Sequence, residues 1–238
     1  MSHNIETGWV ELSVSDGTEM SAYMAHRTGV SNLPGLIVIQ EAFGVNAHIR
    51  DVALRFAKEG YAAIAPDLYH RTASRFEGAY TDFDAIQPHR TELTDARLEA
   101  DLSAAHMWLL SQEFVDKERV AAVGYCMGGR AAYVANATLP LRAAVSYYGG
   151  RIAPDLLPRA KDMHGPILLC WGGLDNHIPP EAYRAVSDAL REAKKPYVEA
   201  VFSEGDHGFF CDERPSYNPK AAREAWVLTL QFLKDNLA

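Results

Sequence analysis

The chain has few cysteines for its length: three in 238 residues, Cys126, Cys170 and Cys211. Their odd number and wide spacing argue against a disulfide framework, and no paired C-x-x-C is present to hold zinc. A reducing, cytoplasmic setting is the expectation. A basic surplus is also missing. The formal net charge is -8, so no cationic stripe is available to track a phosphate backbone, and nucleic acid is excluded as a partner. No run is long and apolar enough to cross a bilayer, so no membrane partner is expected. Low-complexity tracts, charge blocks and internal repeats are absent. The opening residues Met1-Ser2-His3-Asn4-Ile5-Glu6 lack the basic-then-apolar pattern of a secretory signal. The nine histidines are scattered without i, i+4 or carboxylate partners, so no metal is expected, and no cofactor.

What is there reads as one large α/β domain over residues 1–238. Trp9 to Val14 and Met20 to Ala25 alternate apolar and polar residues around Ser15-Asp16-Gly17-Thr18, the pattern of an edge hairpin. Leu36-Ile37-Val38-Ile39, Tyr61 to Ala65, Val120 to Val123, Ala143-Ala144-Val145 and Ile167 to Trp171 are apolar runs suited to strands covered on both faces, and Tyr197 to Phe202 is read as a last strand. Helices are predicted between them. One is capped by Asn46 and carries Ile49, Val52 and Phe56, stopping near Gly60. Others carry Leu98, Leu102, Ala105 and Leu109; span Arg130 to Ala137; open at Pro179-Pro180 with Tyr183, Val186 and Leu190; or turn Ala222, Trp226, Leu230 and Leu233 inward. Residues 70–90, with Gly78 and Pro88, read as a long loop. Strands alternating with helices imply a mostly parallel, doubly wound sheet with helices on both faces. Ligands bind such sheets at the carboxyl ends of the strands.

The most informative segment sits at one of those ends. Gly124-Tyr125-Cys126-Met127-Gly128 joins an apolar strand to a small-residue helix, the setting of a nucleophile elbow with a thiol in place of a hydroxyl. The thiolate is the attacking form of cysteine, and the amino end of the following helix favours negative charge there. The rival reading, a small buried apolar residue, fits Cys170 in mid-strand better; Cys211 is undecided. Asp175 follows the strand 167–171 and the turn Gly172-Gly173, where an acid could orient a base or simply cap its own loop. His207, in Glu204-Gly205-Asp206-His207-Gly208, follows the last strand and is the candidate base. Asp206 is an alternative acid, though adjacency makes it a poorer orienter. Nucleophile, acid and histidine come in the order of the α/β-hydrolase triad. The Met127 amide is one candidate oxyanion donor, and the loop Gln40-Glu41-Ala42-Phe43-Gly44 should supply the other, at Ala42. Glu41 is an acid beside an apolar strand end, with a surface or helix-entry role as its plainer reading. Phe43, Tyr80, Arg151, Trp171 and Phe209 are candidates to line a pocket, and each aromatic could equally be core.

These residues resemble the dienelactone hydrolase family of α/β-hydrolases. The likeness runs along nearly the whole chain: Gln40 to Asn46, Tyr61 to Tyr69, Gly124 to Gly129, Tyr147-Tyr148-Gly149, Gly172 to Pro179 and Gly205 to Phe209. It implies a Cys126–Asp175–His207 triad, an oxyanion hole from the Ala42 and Met127 amides, and a role for Glu41 in taking the thiol proton. It implies an esterase or lactonase with a small-molecule substrate; a monomer or homodimer is the separate expectation for the assembly. The sequence departs from the pattern four residues past the histidine, where dienelactone-cleaving members carry a clamp arginine and this chain has Cys211. Arg214 is the nearest downstream cation, and Arg75 and Arg90 lie in the variable loop. Cysteine cannot grip a carboxylate as arginine does, so a substrate other than dienelactone is expected. Activated esters and, by oxyanion geometry, phosphotriesters are candidates. An acyltransferase or thioesterase on the same core, and a non-catalytic ligand-binding protein, are the rival readings.

Overall fold

Leu36, Ile37, Val38 and Ile39 are each 0% exposed, as an apolar run without alternation requires of a strand covered on both faces. They belong to a sheet of eight strands in the order β1-β2-β4-β3-β5-β6-β7-β8. The computed structural model describes residues 4–238. Of the opening residues examined for a signal, Met1, Ser2 and His3 lie outside the described part. The chain divides into two compact units, one running through Ala121 and the other covering Ala122–Ala238, with β5 (Val115–Tyr125) shared by both.

In the first unit, β1 (Ile5–Ser13) and β2 (Glu19–Arg27) form the expected antiparallel hairpin, with Trp9 opposite Tyr23. β2 pairs antiparallel with β4 (Ala62–Pro66), and β4 runs parallel to β3 (Leu33–Ile39). The helix α1 (Ala47–Lys58) starts where Asn46 Oδ1 accepts the Ile49 amide at 3.2 Å. It buries Ile49, Val52 and Phe56 completely. It ends before Gly60, whose φ of 97° favours glycine.

The predicted loop over 70–90 is corrected in its second half. A helix α2 (Phe83–Glu92) forms there, capped by Asp82 accepting the Ala85 amide at 3.1 Å. Only Ile86 of α2 is buried, so no apolar periodicity marks it, and Pro88 inside it hides the helix further. The helix α3 (Asp95–Ser111) then buries Leu98, Leu102, Ala105 and Leu109 as expected.

In the second unit, α4 (Met127–Thr138) packs on β6 (Ala143–Tyr147). β6, β7 (Ile167–Gly172) and β8 (Tyr197–Phe202) run parallel, Val145 beside Leu168 and Cys170 beside Ala200. A short 3₁₀ turn at Leu157–Asp162 and the helix α5 (Pro180–Glu192) connect them. Asn136 of α4 is 0% exposed. Its amide donates to the Gly165 carbonyl at 2.9 Å and its oxygen accepts the Gly165 N–H at 3.0 Å, fixing the entry to β7.

The terminal helix α6 (Pro219–Asn236) packs on β6 and β7. Its inward face is rotated from the expected one. Ala222 and Leu233 are buried, but Trp226 and Leu230 are only half-buried, and Ala221, Ala225, Thr229 and Phe232 complete the face. Thr229 can lie inside because its hydroxyl and that of Tyr147 hydrogen-bond at 2.6 Å. A buried threonine breaks the apolar pattern from which the face was predicted. Among the described residues no helix is long and apolar enough to cross a membrane.

Candidate active site

Cys126 is the only residue between β5 and α4. It adopts φ 55° and ψ −115°, a conformation that non-glycine residues occupy only when their surroundings enforce it. The enforcement is visible. The Cys126 amide donates to the Tyr147 carbonyl at 3.0 Å, and its carbonyl accepts the amides of Gly129 (2.9 Å) and Arg130 (3.3 Å). A Cβ on Gly124 would overlap the Gly128 carbonyl. One on Gly129 would lie 2.5 Å from the Tyr147 carbonyl oxygen, and one on Gly149 would lie 2.7 Å from the Gly129 carbonyl carbon. Glycine at these positions lets strand and helix meet at a corner, leaving the thiol outside it. Cys126 is the N-cap residue of α4 and its side chain makes no cap hydrogen bond, so the thiol sits at the amino end of the helix, where the macrodipole favours an anion.

Glycines also bring the other two residues together. A Cβ on Gly172 would lie 2.7 Å from the Gly205 carbonyl oxygen, and one on Gly173 2.7 Å from the Ser203 Cα. The turns after β7 and β8 therefore pack backbone against backbone. Gly173 N–H bonds the Phe202 carbonyl (2.8 Å) and Leu174 N–H the Gly205 carbonyl (2.9 Å). Across this contact His207 Nδ1 lies 2.7 Å from Asp175 Oδ2, and His207 Nε2 lies 3.1 Å from Cys126 Sγ. The other Asp175 oxygen, Oδ1, accepts the His177 amide at 2.8 Å. Asp206 instead accepts the backbone amide of His207 at 2.6 Å, so its carboxylate is committed to the loop.

The electrostatics follow from this chain of contacts. Burial works against charge on His207, but the hydrogen bonds and charges of Asp175 and Cys126 outweigh it and push its pKa up to about 10. Burial likewise raises Asp175, yet the hydrogen bond and charge of His207 prevail and hold the carboxyl below its ordinary value. Both shifts favour a charged imidazolium hydrogen-bonded to an ionised Asp175.

The other predicted residues are placed as follows. Met127 opens α4 beside Cys126. Glu41 and Ala42 are buried in the first unit, between β3 and α1. There, Gln40 donates to the Glu41 carbonyl (3.3 Å) and accepts the Leu68 amide (3.1 Å), while Tyr69 donates its hydroxyl to the Ala42 carbonyl (3.0 Å). Phe43 contacts Tyr80, ring centroids 4.6 Å apart, and Asn46 Nδ2 donates to the Tyr80 hydroxyl at 2.9 Å. Arg75 and Arg90 also belong to the first unit, and Arg75 lies over the Trp9 ring, 4.6 Å from its centroid. In the second unit, Trp171 is buried, donates to Glu199 at 3.0 Å and stacks on Tyr183. Phe209 is 0% exposed among Tyr148 and Phe202. Arg151 is exposed and 3.9 Å from Asp155. The Arg214 guanidinium occupies the space that a Cβ on Gly208 (φ 81°) would take, which places it on the loop of His207. Cys170 and Cys211 are both 0% exposed, and burial pushes the Cys170 thiol well above its ordinary value. Two neighbours of His207 escaped sequence reasoning. The Tyr148 and His177 rings each lie 5.3 Å from it, centroid to centroid. The only signal for them was their place within the stretches Tyr147-Tyr148-Gly149 and Gly172 to Pro179.

The model of the dienelactone hydrolase family matches residues 20–237. A protein of Synechocystis sp., provisionally named a carboxymethylenebutenolidase, is 34% identical over 247 residues, covering 100% of both chains. A protein of Escherichia coli (strain K12), named in the same provisional way, is 37% identical over 233 residues, covering 92% of this chain and 84% of that protein. Among solved structures, a protein of Klebsiella pneumoniae subsp. pneumoniae, provisionally described as a dienelactone hydrolase, superposes with a TM-score of 0.90 at 33% identity, covering 97% and 99% of the two chains. P91, a dienelactone hydrolase-like promiscuous phosphotriesterase from metagenomic libraries, gives a TM-score of 0.85 at 26% identity, covering 98% and 99%. The chain belongs to the dienelactone hydrolase family, has the α/β-hydrolase fold, and is a hydrolase acting on ester or lactone bonds.

Proposed function

We propose that this protein hydrolyses carboxylic esters and lactones of small molecules through a thioester on Cys126. The observation that carries the reading is the single imidazole of His207 in hydrogen-bond reach of both Asp175 (2.7 Å) and Cys126 (3.1 Å). His207 holds the thiol proton, and the thiolate adds to the substrate carbonyl carbon. The oxyanion so formed accepts the Met127 amide at the head of α4; the family pattern assigns a second donor, the Ala42 amide. Collapse breaks the carbonyl carbon–alkoxide oxygen bond, and His207 protonates the departing oxygen. Water then adds to the thioester and gives a proton to His207 Nε2. The carbon–sulfur bond breaks, the acid leaves, and the thiolate–imidazolium pair is restored. Asp175 fixes the ring orientation throughout.

Good leaving groups suit this chemistry better than amides do. Cys211, buried in the loop of His207, offers no cation to a substrate carboxylate, which favours neutral esters and lactones over dienelactone. The likeness to P91 supports turnover of phosphotriesters at the same thiolate. The test is a panel of nitrophenyl esters, lactones, dienelactone and a nitrophenyl phosphotriester, with intact-mass detection of the acyl enzyme after rapid acid quench. Ester turnover with an acyl adduct confined to Cys126 is the expected result. Turnover that survives in Cys126→Ala would refute the reading.

A further inference from the structure

In the resting enzyme both nitrogens of the His207 ring are tethered, Nδ1 to Asp175 and Nε2 to Cys126. Acylation removes the second tether, because a thioester sulfur carries no charge and accepts hydrogen bonds weakly. The ring is then held by one hydrogen bond, about which it can swing. This happens at the stage when Nε2 must hold the attacking water, and small errors of aim slow such a step strongly. Two rings remain against it. Tyr148 is 0% exposed, at φ 37°, and belongs to an aromatic cluster with Tyr125, Tyr147 and Phe209. His177 is exposed. Its ring lies edge-to-face with that of His207, centroids 5.3 Å apart and planes at 79°. Its own amide holds the remaining oxygen of Asp175 (2.8 Å), so one residue braces both the acid and the base.

We infer that His177 is a positioning residue, whose ring keeps His207 aimed at water while Cys126 is acylated. The inference rests on the thioester reading above. An edge-to-face aromatic contact of this kind contributes about 0.5–1.5 kcal/mol, which corresponds to a change of about two- to twelvefold in the step it supports.

The experiment is stopped-flow hydrolysis of p-nitrophenyl acetate, with the lifetime of the acyl enzyme followed by quench and intact mass. In His177→Ala the burst of nitrophenol should stay within about twofold of wild type. The acyl enzyme should persist about fivefold longer, with kcat and KM falling together as deacylation becomes limiting. His177→Phe, which keeps a ring and cannot titrate, should restore the wild-type lifetime. An unchanged lifetime in His177→Ala, equal slowing of burst and decay, or failure of His177→Phe to rescue would each overturn the inference. Absence of any acyl adduct in the wild type would overturn the thioester reading, and the inference with it. Melting curves of both variants, expected near wild type because the side chain is exposed, separate these results from misfolding.

Discussion

Gly124 and the carbonyl of Gly128 approach each other so closely across the Cys126 turn that a methyl group on residue 124 would overlap the carbonyl oxygen. The left-handed conformation of Cys126 and the start of α4 both depend on that approach. Gly124→Ala should therefore force β5 and α4 apart, costing about 3 kcal/mol or more. A urea titration of the soluble fraction reads the loss, and a stability within about 0.5 kcal/mol of wild type would show that the corner is not so constrained.

Cys126→Ala should reduce ester turnover by about a thousandfold or more, as loss of a nucleophile does in enzymes of this logic. Cys170 and Cys211 are completely buried, so iodoacetamide should modify one thiol in the native wild-type protein and none in Cys126→Ala. Peptide mapping of a second native alkylation site would contradict the assignment.

Asp175→Asn keeps the shape of the side chain but removes the charge that favours the His207 imidazolium and fixes the ring at Nδ1. A fall in kcat of about 10³–10⁴ is expected, by the behaviour of comparable acid-to-amide changes. Asp206→Asn should change kcat less than about threefold, because Asp206 bonds backbone and not the ring. Similar losses in both variants would mean that the acid has been misidentified.

The elevated His207 pKa has a consequence for stability. A histidine in the unfolded chain titrates near 6.5, and in the fold His207 reaches about 10. The folded protein therefore binds this proton more tightly. The stabilisation is complete below about pH 6.5 and is lost as pH rises through about 10. Wild-type Tm should fall more steeply between pH 7 and 10 than that of His207→Gln. Parallel Tm-against-pH curves for the two proteins would refute the shift.

Asn136 joins α4 to the entry of β7 through both ends of its amide. Asn136→Ala leaves the buried N–H and C=O of Gly165 without these partners, a cost of about 2–3 kcal/mol. Specific activity per folded molecule should change little, since the turn at Cys126 lies at the other end of α4. A thermal melt and an active-site titration with iodoacetamide check the two halves of this statement.

Local chemistry made most of the fold legible. Unbroken apolar runs marked β3 to β7, Asn46 and the Pro179-Pro180 pair marked helix starts, and glycines around Cys126, Asp175 and His207 marked turns too tight for a side chain. The helix α2 stayed hidden because it buries one residue, and the true face of α6 stayed hidden because Thr229 is satisfied by Tyr147, far away in sequence. The sequence by itself determined which residues could carry nucleophile, acid and base, since each follows a strand and sits in a glycine-bearing turn. Only the tertiary structure decided their partners. His207 and Cys126 are 81 positions apart, and His207 and Asp175 are 32 apart. Their meeting depends on how the ends of β5, β7 and β8 pack, and no local pattern encodes that. The 2.7 Å contact between Asp175 and the imidazole of His207, and the placing of the His177 ring against it, are products of that packing.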